Sequence, residues 1–170
     1  MSLTFVIGGA RSGKTSYALA QAQARPAQRL VMIATAEALD EEMASRIARH
    51  REERGQAWTT IEAPLALVSA VNKLQPGDVA VIDCLTLWLS NLLLGELDVE
   101  AAVEELSQAL RASPAEIIVI SNEVGQGIVP DNPLARRFRD EAGRMHQAIA
   151  GAADRAVLVV AGLPMTLKAS

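Results

Sequence analysis

The sequence predicts an α/β fold, a single domain built on a doubly wound and mostly parallel sheet. Short apolar runs alternate with helix-like segments along the whole chain. A glycine-rich loop directly follows the first apolar run, an order typical of a strand that leads into a helix. The 170 residues are 50% hydrophobic, which is enough for one well-buried domain and short for two. We therefore expect one domain over residues 1–170, with one site.

The apolar runs define six strands. Residues 3–7 and 29–36 are almost entirely apolar, as strands buried on both faces of a parallel sheet are. The run "VAVIDC" follows the turn "QPGD", and "AEIIVIS" and "AVLVVA" share its β-branched composition. The predicted strands cover residues 3–7, 29–36, 58–64, 79–84, 115–121 and 156–161.

Helices are predicted between the strands from composition and stop signals. The segment "TSYALAQAQA" stops before Pro26, because the residue before a proline disfavours the helical conformation. A longer helix begins at acidic residues 40–42, which suit the positive end of a helix dipole, and it ends at Gly55. The predicted helices cover residues 15–24, 40–54, 64–74, 85–94, 99–112 and 134–150. In such a sheet the ligand binds beyond the carboxyl ends of the strands.

Composition argues against several classes of partner. The net charge is −4 and only 3% of the residues are aromatic, whereas nucleic-acid surfaces need clustered basic residues with interleaved aromatics. The longest apolar stretch, around "CLTLWLSNLLLG", is too short for a membrane span, and the N-terminus shows no export signal. The single cysteine, Cys84, favours a reducing compartment. We therefore expect a cytoplasmic protein with no nucleic-acid partner and no membrane span.

The stretch "GGARSGKT" carries the clearest chemistry, since it matches the phosphate-binding motif G-x-x-x-x-G-K-[ST] after a strand. Glycines let backbone N–H groups turn toward phosphate oxygens, and the following helix directs the positive end of its dipole at them. Lys14 is expected to reach the β- and γ-phosphates, and the Thr15 hydroxyl to ligate Mg²⁺. The predicted phosphate loop consists of Gly8, Gly9, Ala10, Arg11, Ser12, Gly13, Lys14 and Thr15.

A carboxylate at the end of a predicted strand is the second candidate. Asp83 closes the apolar run "VAVID", the arrangement of a Walker-B aspartate that holds Mg²⁺ directly or through water. An aspartate at a strand end is more often a turn or helix-cap residue. The phosphate loop elsewhere in the chain favours the metal role instead.

The segment "EEMASRIARHREER" provides a third candidate. Arg46, His50 and Arg54 lie on one i, i+4 ridge at the edge of a predicted buried stripe. By spacing alone, the favoured interpretation is a core-edge histidine among solvated arginines that pair with glutamates. A histidine between two arginines is also what attack on a nucleotide α-phosphate needs, because neutral imidazole is a nucleophile and guanidiniums stabilise phosphoryl charge. The other histidine, His146, lies in a predicted amphipathic helix and is expected to be structural.

Four segments together resemble one enzyme family. They are "GGARSGKT", "IATA…DEEMASRIARHREER", "VIDCLTLWLSNLL" and "SNEVGQGIVPDNPLARRFRDEAGRMHQ". In this order, over nearly the whole chain, they are similar to the bifunctional adenosylcobinamide kinase / adenosylcobinamide-phosphate guanylyltransferases of cobalamin biosynthesis. The resemblance implies phosphorylation of the aminopropanol hydroxyl of adenosylcobinamide with ATP or GTP. It also implies transfer of GMP from GTP onto the new phosphate through a guanylyl-histidine intermediate, with release of pyrophosphate.

The resemblance further implies a RecA-like P-loop fold, a homotrimer and roles for individual residues. His50 would carry the guanylyl group and act in catalysis together with Lys14, and Thr15 and Asp83 would hold Mg²⁺ through the nucleotide. Further nucleotide contacts are implied for Ala34, Thr35, Ala36, Arg51, Arg54, Glu62 and Asp83. Two positions depart from the family pattern, since Asp83 stands where some members have Glu and His146 where Asn is common.

Two other functions remain open from the residues alone. One is a monofunctional P-loop kinase of a small alcohol, in which His50 is structural. The other is a nucleotide-binding regulatory module that hydrolyses slowly or not at all, and the ridge around His50 argues against it.

The segment "NEVGQGIVPDNP", residues 122–133, is predicted to be a shaped loop after the carboxyl end of a strand. Binding loops are usually found at that position. We expect the loop to help form the corrinoid side of the site or a contact between subunits.

Overall fold

A computed structural model of the chain describes residues 2–36 and 57–169. These residues contain a seven-stranded sheet with the strand order β3-β2-β4-β5-β1-β6-β7. All neighbouring strands are parallel except β6 and β7, which are antiparallel. The strands are Ser2–Gly8 (β1), Arg29–Ala34 (β2), Trp58–Glu62 (β3), Asp78–Asp83 (β4), Glu116–Asn122 (β5), Arg155–Val160 (β6) and Leu163–Ala169 (β7).

Two of the described helices begin at a side-chain cap. The helix over Val99–Ala112 begins after Asp98, whose carboxylate accepts a hydrogen bond from Ala101 N at 3.1 Å. The helix over Pro133–Ala152 begins after Asn132, whose side-chain oxygen accepts a hydrogen bond from Ala135 N at 3.1 Å. The described helices are Lys14–Gln23 (α1), Leu67–Val71 (α2), Leu85–Leu94 (α3), Val99–Ala112 (α4) and Pro133–Ala152 (α5). None of these helices has the length and apolar character needed to cross a bilayer. The predicted helix over 40–54 lies outside the described residues.

The core has one layer on each face of the sheet. Along β1, Phe5 belongs to the cluster that packs under α3, α4 and α5, whereas Val6 belongs to the cluster under α1. Ala18 and Ala22, the fully buried residues of α1, are small and let the helix lie close to the strands. This packing holds the connection between β1 and α1 at the carboxyl edge of the sheet.

The helix predicted over 64–74 is shorter than expected. Its first two carbonyls are occupied by α3, because Asn91 Nδ2 donates to Pro64 O at 3.0 Å and Trp88 Nε1 donates to Leu65 O at 3.2 Å. Those carbonyls therefore serve tertiary contacts, and the helix spans only Leu67–Val71.

The prediction that the strand over 156–161 is the last one is wrong, because β7 follows it. A two-residue turn joins the two strands, and both of its residues, Ala161 and Gly162, have positive φ, as in a type I′ hairpin. The stretch "LPMTLKA" alternates apolar and polar residues as strands do, so the sequence carried a signal for β7 that was overlooked, although every residue of the strand is exposed. Pro164 is tolerated because β7 is an edge strand.

Candidate active site

The carboxyl ends of neighbouring strands bring several predicted site residues to one edge of the sheet. In the strand register, Ala34 lies opposite both Glu62 on β3 and Asp83 on β4. Gly8, at the end of β1, lies opposite Asn122 on the intervening strand β5. The structure therefore gathers the phosphate loop and the strand-ending acidic residues on the side where ligands of parallel sheets bind.

Two glycines of the phosphate loop are required by its shape. A Cβ on Gly8 would lie 2.5 Å from the Val159 carbonyl oxygen and 2.6 Å from the Ser12 hydroxyl oxygen. Gly13 has φ +92°, a left-handed conformation, and a Cβ there would lie 3.1 Å from the Cα of Gly162. The loop can therefore approach its neighbours this closely only with glycine at both positions.

Lys14 and the start of α1 give the loop its positive character. Lys14 Nζ donates to the Gly9 carbonyl at 3.2 Å, so the ammonium group is folded over the loop, and the residue is only 9% exposed. The first turn of α1 contains no acidic residue to neutralise its free N–H groups. An ammonium group beside a helix N-terminus is suited to hold phosphate oxygens.

The Ser12 hydroxyl is a buried polar atom without a hydrogen-bond partner among the described residues. Native proteins rarely leave such atoms unpaired. Its place within the phosphate loop fits a hydrogen bond to an oxygen of a bound phosphate.

Oxygen ligands for Mg²⁺ come from two elements. Thr15 follows Lys14 at the start of α1 and is half-buried, and Asp83, also half-buried, ends β4. Only β5 separates the strands that lead to these two residues. A hydroxyl and a carboxylate are donors that Mg²⁺ prefers, so the residues present fit the ion.

Thr35 holds the strand ends together. The residue is fully buried, and its hydroxyl donates to Cys84 O at 2.7 Å and accepts from Cys84 N at 2.9 Å. Asn91 Nδ2 donates to the Thr35 carbonyl at 3.0 Å and links α3 to the same position. The Thr35 side chain thus has a structural task, and its contact with a nucleotide stays a prediction. Ala36, the last residue described before the gap, is half-buried.

A further polar contact, which sequence reasoning missed, joins β5 to α3. Asn122 Nδ2 donates to the Thr86 hydroxyl at 3.1 Å, and that hydroxyl lies 3.0 Å from Cys84 Sγ. Burial raises the pKa of the Cys84 thiol, and the nearby Asp83 raises it further, so the thiol stays protonated near neutral pH. The available signal was position, because Asn122 ends an apolar strand just as Asp83 does.

The turn of the β6–β7 hairpin also supports the phosphate loop. Gly162 N donates to the Ser12 carbonyl at 2.8 Å, and its Cα lies close to Gly13. Sequence reasoning missed this contact because it did not predict β7. The available signal was the alternation of apolar and polar residues in "LPMTLKA", two residues after the apolar run of β6.

His146 lies on the inner side of α5. One of its ring nitrogens, Nε2, is 2.8 Å from the Ser121 hydroxyl, and the ring packs against Phe5 with centroids 5.8 Å apart. Burial lowers the pKa of His146, and the negative charge of Glu123 opposes this shift. These contacts are those of a neutral histidine satisfied within a core.

The remaining predicted residues of the nucleotide site lie outside the described part of the chain. They are His50, Arg51 and Arg54, and Arg46 of the same ridge lies there as well.

The strand, phosphate loop, helix and strand-ending aspartate define a P-loop NTPase. The predicted RecA-like fold is confirmed by solved structures of the same architecture. The chain superposes on a type III secretion ATPase with a TM-score of 0.56 and 11% identity, covering 97% of this chain and 56% of that one. It superposes on the RadB recombinase with a TM-score of 0.56 and 17% identity, covering 92% of this chain and 73% of that one. At these identities the likeness concerns the fold alone.

The chain belongs to the CobU family, cobinamide kinase / cobinamide phosphate guanyltransferase, whose model matches residues 4–167. It is 48% identical over 168 residues to the bifunctional adenosylcobalamin biosynthesis protein CobP of Pseudomonas aeruginosa, covering 96% of this chain and 95% of the relative. It is 40% identical over 182 residues to the bifunctional protein CobU of Salmonella typhimurium, covering 98% and 99%. The resemblance inferred from the sequence is thereby confirmed.

Proposed function

We propose that the phosphate loop of this bifunctional enzyme serves two transfers in succession. The first moves the γ-phosphoryl group of ATP or GTP to the aminopropanol hydroxyl of adenosylcobinamide. The second moves GMP from GTP to adenosylcobinamide phosphate and gives adenosylcobinamide-GDP and pyrophosphate. Membership of the family supports both reactions, and the glycine-constrained loop with Lys14 folded over it is the observation that supports nucleotide binding.

In the kinase step, the oxygen of the substrate hydroxyl attacks the γ-phosphorus and gives up its proton to solvent, while the bond to the β-phosphate oxygen breaks and the nucleoside diphosphate leaves. This reaction needs positioning and stabilisation of charge more than covalent chemistry. The loop N–H groups, Lys14 and the N-terminus of α1 would supply them. Mg²⁺ bound with the nucleotide at Thr15 and Asp83 would neutralise charge on the phosphates.

In the guanylyl step, we propose His50 as the nucleophile. A ring nitrogen would attack the α-phosphorus of GTP, and the bond to the pyrophosphate oxygen would break. The phosphate of the corrinoid would then attack the same phosphorus, form the new P–O bond and release His50. The positive charges of Arg46 and Arg54, which flank His50 on the ridge, would stabilise the phosphoryl oxygens, and Arg51 would be a further contact to the nucleotide. The spacing of this ridge and the family resemblance support the proposal.

The remaining nucleotide contacts are proposed for residues at the strand ends. Glu62 is level with Ala34 and Asp83 across three adjacent strands, so one ligand lying over this edge would meet all three. Thr35 and Ala36 continue β2 beyond that level.

The test uses GTP labelled at either the α- or the γ-phosphate. A phosphoramidate on imidazole survives alkali and hydrolyses in acid, so label from α-labelled GTP should stay with the denatured protein in base and leave it in acid. Label at the γ-phosphate should not attach. His50→Asn should abolish the adduct and slow guanylyl transfer greatly, whereas cobinamide phosphorylation should suffer less because it needs no covalent histidine.

Two results would contradict the intermediate. Acid-labile label on the Asn variant would place the nucleophile elsewhere, and His146 is the only other histidine in the chain. Full-rate GMP transfer by the wild type without any adduct would indicate direct displacement. If the wild-type protein phosphorylates cobinamide but transfers no GMP, it is a kinase alone. If it catalyses neither reaction, it is a nucleotide-binding module.

We further propose that the chain is one domain that acts as a homotrimer in the cytoplasm, on a small-molecule corrinoid and nucleoside triphosphates. The family resemblance supports the trimer. The outer strand β7 also exposes Leu163, Met165 and Leu167, an apolar edge of the kind that association of copies can cover. Nucleoside triphosphate substrates and the single buried thiol, Cys84, agree with a cytoplasmic enzyme.

A further inference from the structure

An apolar groove lies between the end of α3, the loop over 122–133 and the start of α5. Its volume is about 570 Å³, within the range of about 300–1,000 Å³ typical of ligand pockets. Three polar residues, Ser90, Asn132 and Arg139, also line it. The apolar lining includes Leu93, Leu94, Val124, Ile128, Leu134 and Phe138. Apolar walls with a few polar groups are typical of small-molecule sites.

The groove begins near the strand end that pairs with the phosphate loop, since Val124 lines it and Asn122, two residues earlier, lies opposite Gly8. Glu123, at the start of the 122–133 loop, donates its backbone N–H to the Gly8 carbonyl at 3.0 Å. On the other wall, Thr86 contacts Asn122 at the strand end, and Ser90 follows Thr86 by one helical turn on the same face of α3. One helix face and one loop thus lead from the nucleotide edge into the groove.

The loop is held in a shape that presents its apolar side chains. Arg136 Nη1 donates to the carbonyls of Pro130 and Asp131 at 2.9 and 2.6 Å, and Arg139 Nη1 donates to Gly127 O at 3.3 Å. These bonds satisfy backbone carbonyls and leave Ile128 97% exposed. Leu94 and Leu134 of the same groove are exposed as well, and an exposed apolar patch is a feature of ligand and partner contacts.

We propose that this groove binds the corrin ring of the acceptor substrate, an inference that rests on the proposed function. A corrin is a large, methyl-rich disc with an amide fringe, so its apolar surface suits the walls and its amides suit Ser90, Asn132 and Arg139. The disc is larger than the groove and would insert one edge. The acceptor oxygen must come within about 3–3.5 Å of the γ-phosphorus. The alcohol arm would cross from the groove to the phosphates past Glu123, whose backbone N–H contacts Gly8 and whose neighbour Val124 lines the groove.

The test places a charge on each wall. Ile128→Asp and Leu94→Asp change exposed side chains that line the groove, so the fold should tolerate both. Equilibrium dialysis with cobinamide, followed by its visible absorbance, should show the Kd raised about tenfold or more. The KM for cobinamide should rise in parallel, and the Kd for GTP should stay at its wild-type value. Val129→Asp is the matched control, because Val129 is a 64% exposed neighbour outside the groove, and it should change the Kd less than about twofold.

Three outcomes would overturn the inference. Wild-type affinity for cobinamide in both wall variants would exclude the groove, and equal weakening by Val129→Asp would show a general effect of charge on the loop. A smaller sedimenting mass in the wall variants with unchanged cobinamide affinity would show that a second copy of the chain covers the groove. If the wild-type protein neither binds nor phosphorylates cobinamide, the proposed function itself is contradicted. This outcome is distinguishable from a failure of the groove proposal because it is observed without any variant.

Discussion

At the scale of single residues, different residues of the phosphate loop determine its shape and its charge. Gly8 and Gly13 are set by close contacts with β6 and with the β6–β7 turn, whereas Lys14 is set by its own hydrogen bond to Gly9. The Ser12 hydroxyl is buried without a partner among the described residues. Loop shape and loop charge therefore depend on different residues and can be tested separately.

Replacing Lys14 with alanine removes the ammonium group but leaves the glycine-dependent shape of the loop. We expect Lys14→Ala to weaken nucleotide binding and to lower the kinase and guanylyltransferase rates together, by roughly 2–4 kcal/mol of transition-state stabilisation. Nucleotide titration and kcat/KM for each reaction provide the measurements. Lys73→Ala, which changes an exposed lysine after α2, is the control and should behave as the wild type. Retention of both activities by the Lys14 variant would remove this residue from the site.

The pair Arg29–Asp78 predicts a pH-dependent contribution to stability. Arg29 Nε donates to Asp78 Oδ1 at 3.0 Å, and Gln75 N donates to Oδ2 at 2.8 Å. The hydrogen bonds from Arg29 are the largest cause of the lowered pKa of Asp78, which burial partly opposes. A carboxylate with a lowered native pKa stabilises the fold above its unfolded-state pKa, and this stabilisation is lost as the pH falls through the native value.

The measurement is thermal unfolding of Asp78→Asn and wild type across a pH series. The variant should have a lower Tm at pH 7. The difference should shrink as the pH falls below the ordinary pKa of an aspartate, because the unfolded chain then binds a proton that the native Asp78 carboxylate accepts only at lower pH. Asp140→Asn, an exposed change on α5, should alter the Tm little at any pH. A difference for Asp78→Asn that does not vary with pH would show that the charge of Asp78 contributes nothing.

At the scale of elements, the hairpin of β6 and β7 supports the phosphate loop, although no motif residue belongs to it. Gly162 has φ +79°, and its backbone N–H donates to Ser12 O. A Cβ there would lie within 4 Å of no atom of the described residues, so the cost of substitution expected from this part of the chain comes from the backbone conformation. The hairpin therefore allows the support of the loop to be tested apart from the loop's own residues.

Two substitutions at Gly162 should distinguish the effect of its left-handed backbone conformation from the effect of adding a side chain. Gly162→Val should destabilise the fold by about 1–2 kcal/mol, because a β-branched residue disfavours the left-handed conformation, and it should raise the Kd for GTP severalfold. Gly162→Asn is the matched control, since asparagine tolerates positive φ, and both effects should be smaller. Thermal unfolding and nucleotide titration measure them. Wild-type nucleotide affinity in a destabilised Val variant would show that the hairpin does not position the loop.

At the scale of the whole molecule, the sheet has two unlike edges. β3 ends one edge, and the other edge, β7, is exposed at every residue. Apolar residues on an open edge strand favour association unless something covers them. The groove beside α3 and α5 is a second exposed apolar surface, so the two proposals place assembly and substrate binding on different parts of the molecule.

The proposed homotrimer has a definite molecular mass in solution. Sedimentation equilibrium should give about three times the 18.1 kDa of the chain, independent of concentration in the micromolar range. GTP should leave this value unchanged, since the trimer is proposed for the resting enzyme. A mass equal to one chain at these concentrations would contradict the proposed homotrimer.

Short-range pattern was enough to predict most of the fold and the phosphate site. The strands β1, β2, β4, β5 and β6 are apolar runs buried on both faces, and the G-x-x-x-x-G-K-[ST] spacing places its residues by local geometry. These features depend on neighbours a few residues apart, and such neighbours are visible in the sequence. The same holds for Asp83, whose place at the end of β4 follows from the run that precedes it.

Only the tertiary structure decided the contacts between residues distant in the chain. Thr86 meets Asn122, Gly162 meets Ser12, and α3 engages the carbonyls that the sequence alone had assigned to a longer α2. The alternation in "LPMTLKA" indicated the edge strand β7, but only the structure shows that this strand pairs with β6 and that their turn contacts the phosphate loop. The groove beside the nucleotide edge arises where α3, the 122–133 loop and α5 come together, and this meeting depends on packing across the sheet, which local sequence does not encode.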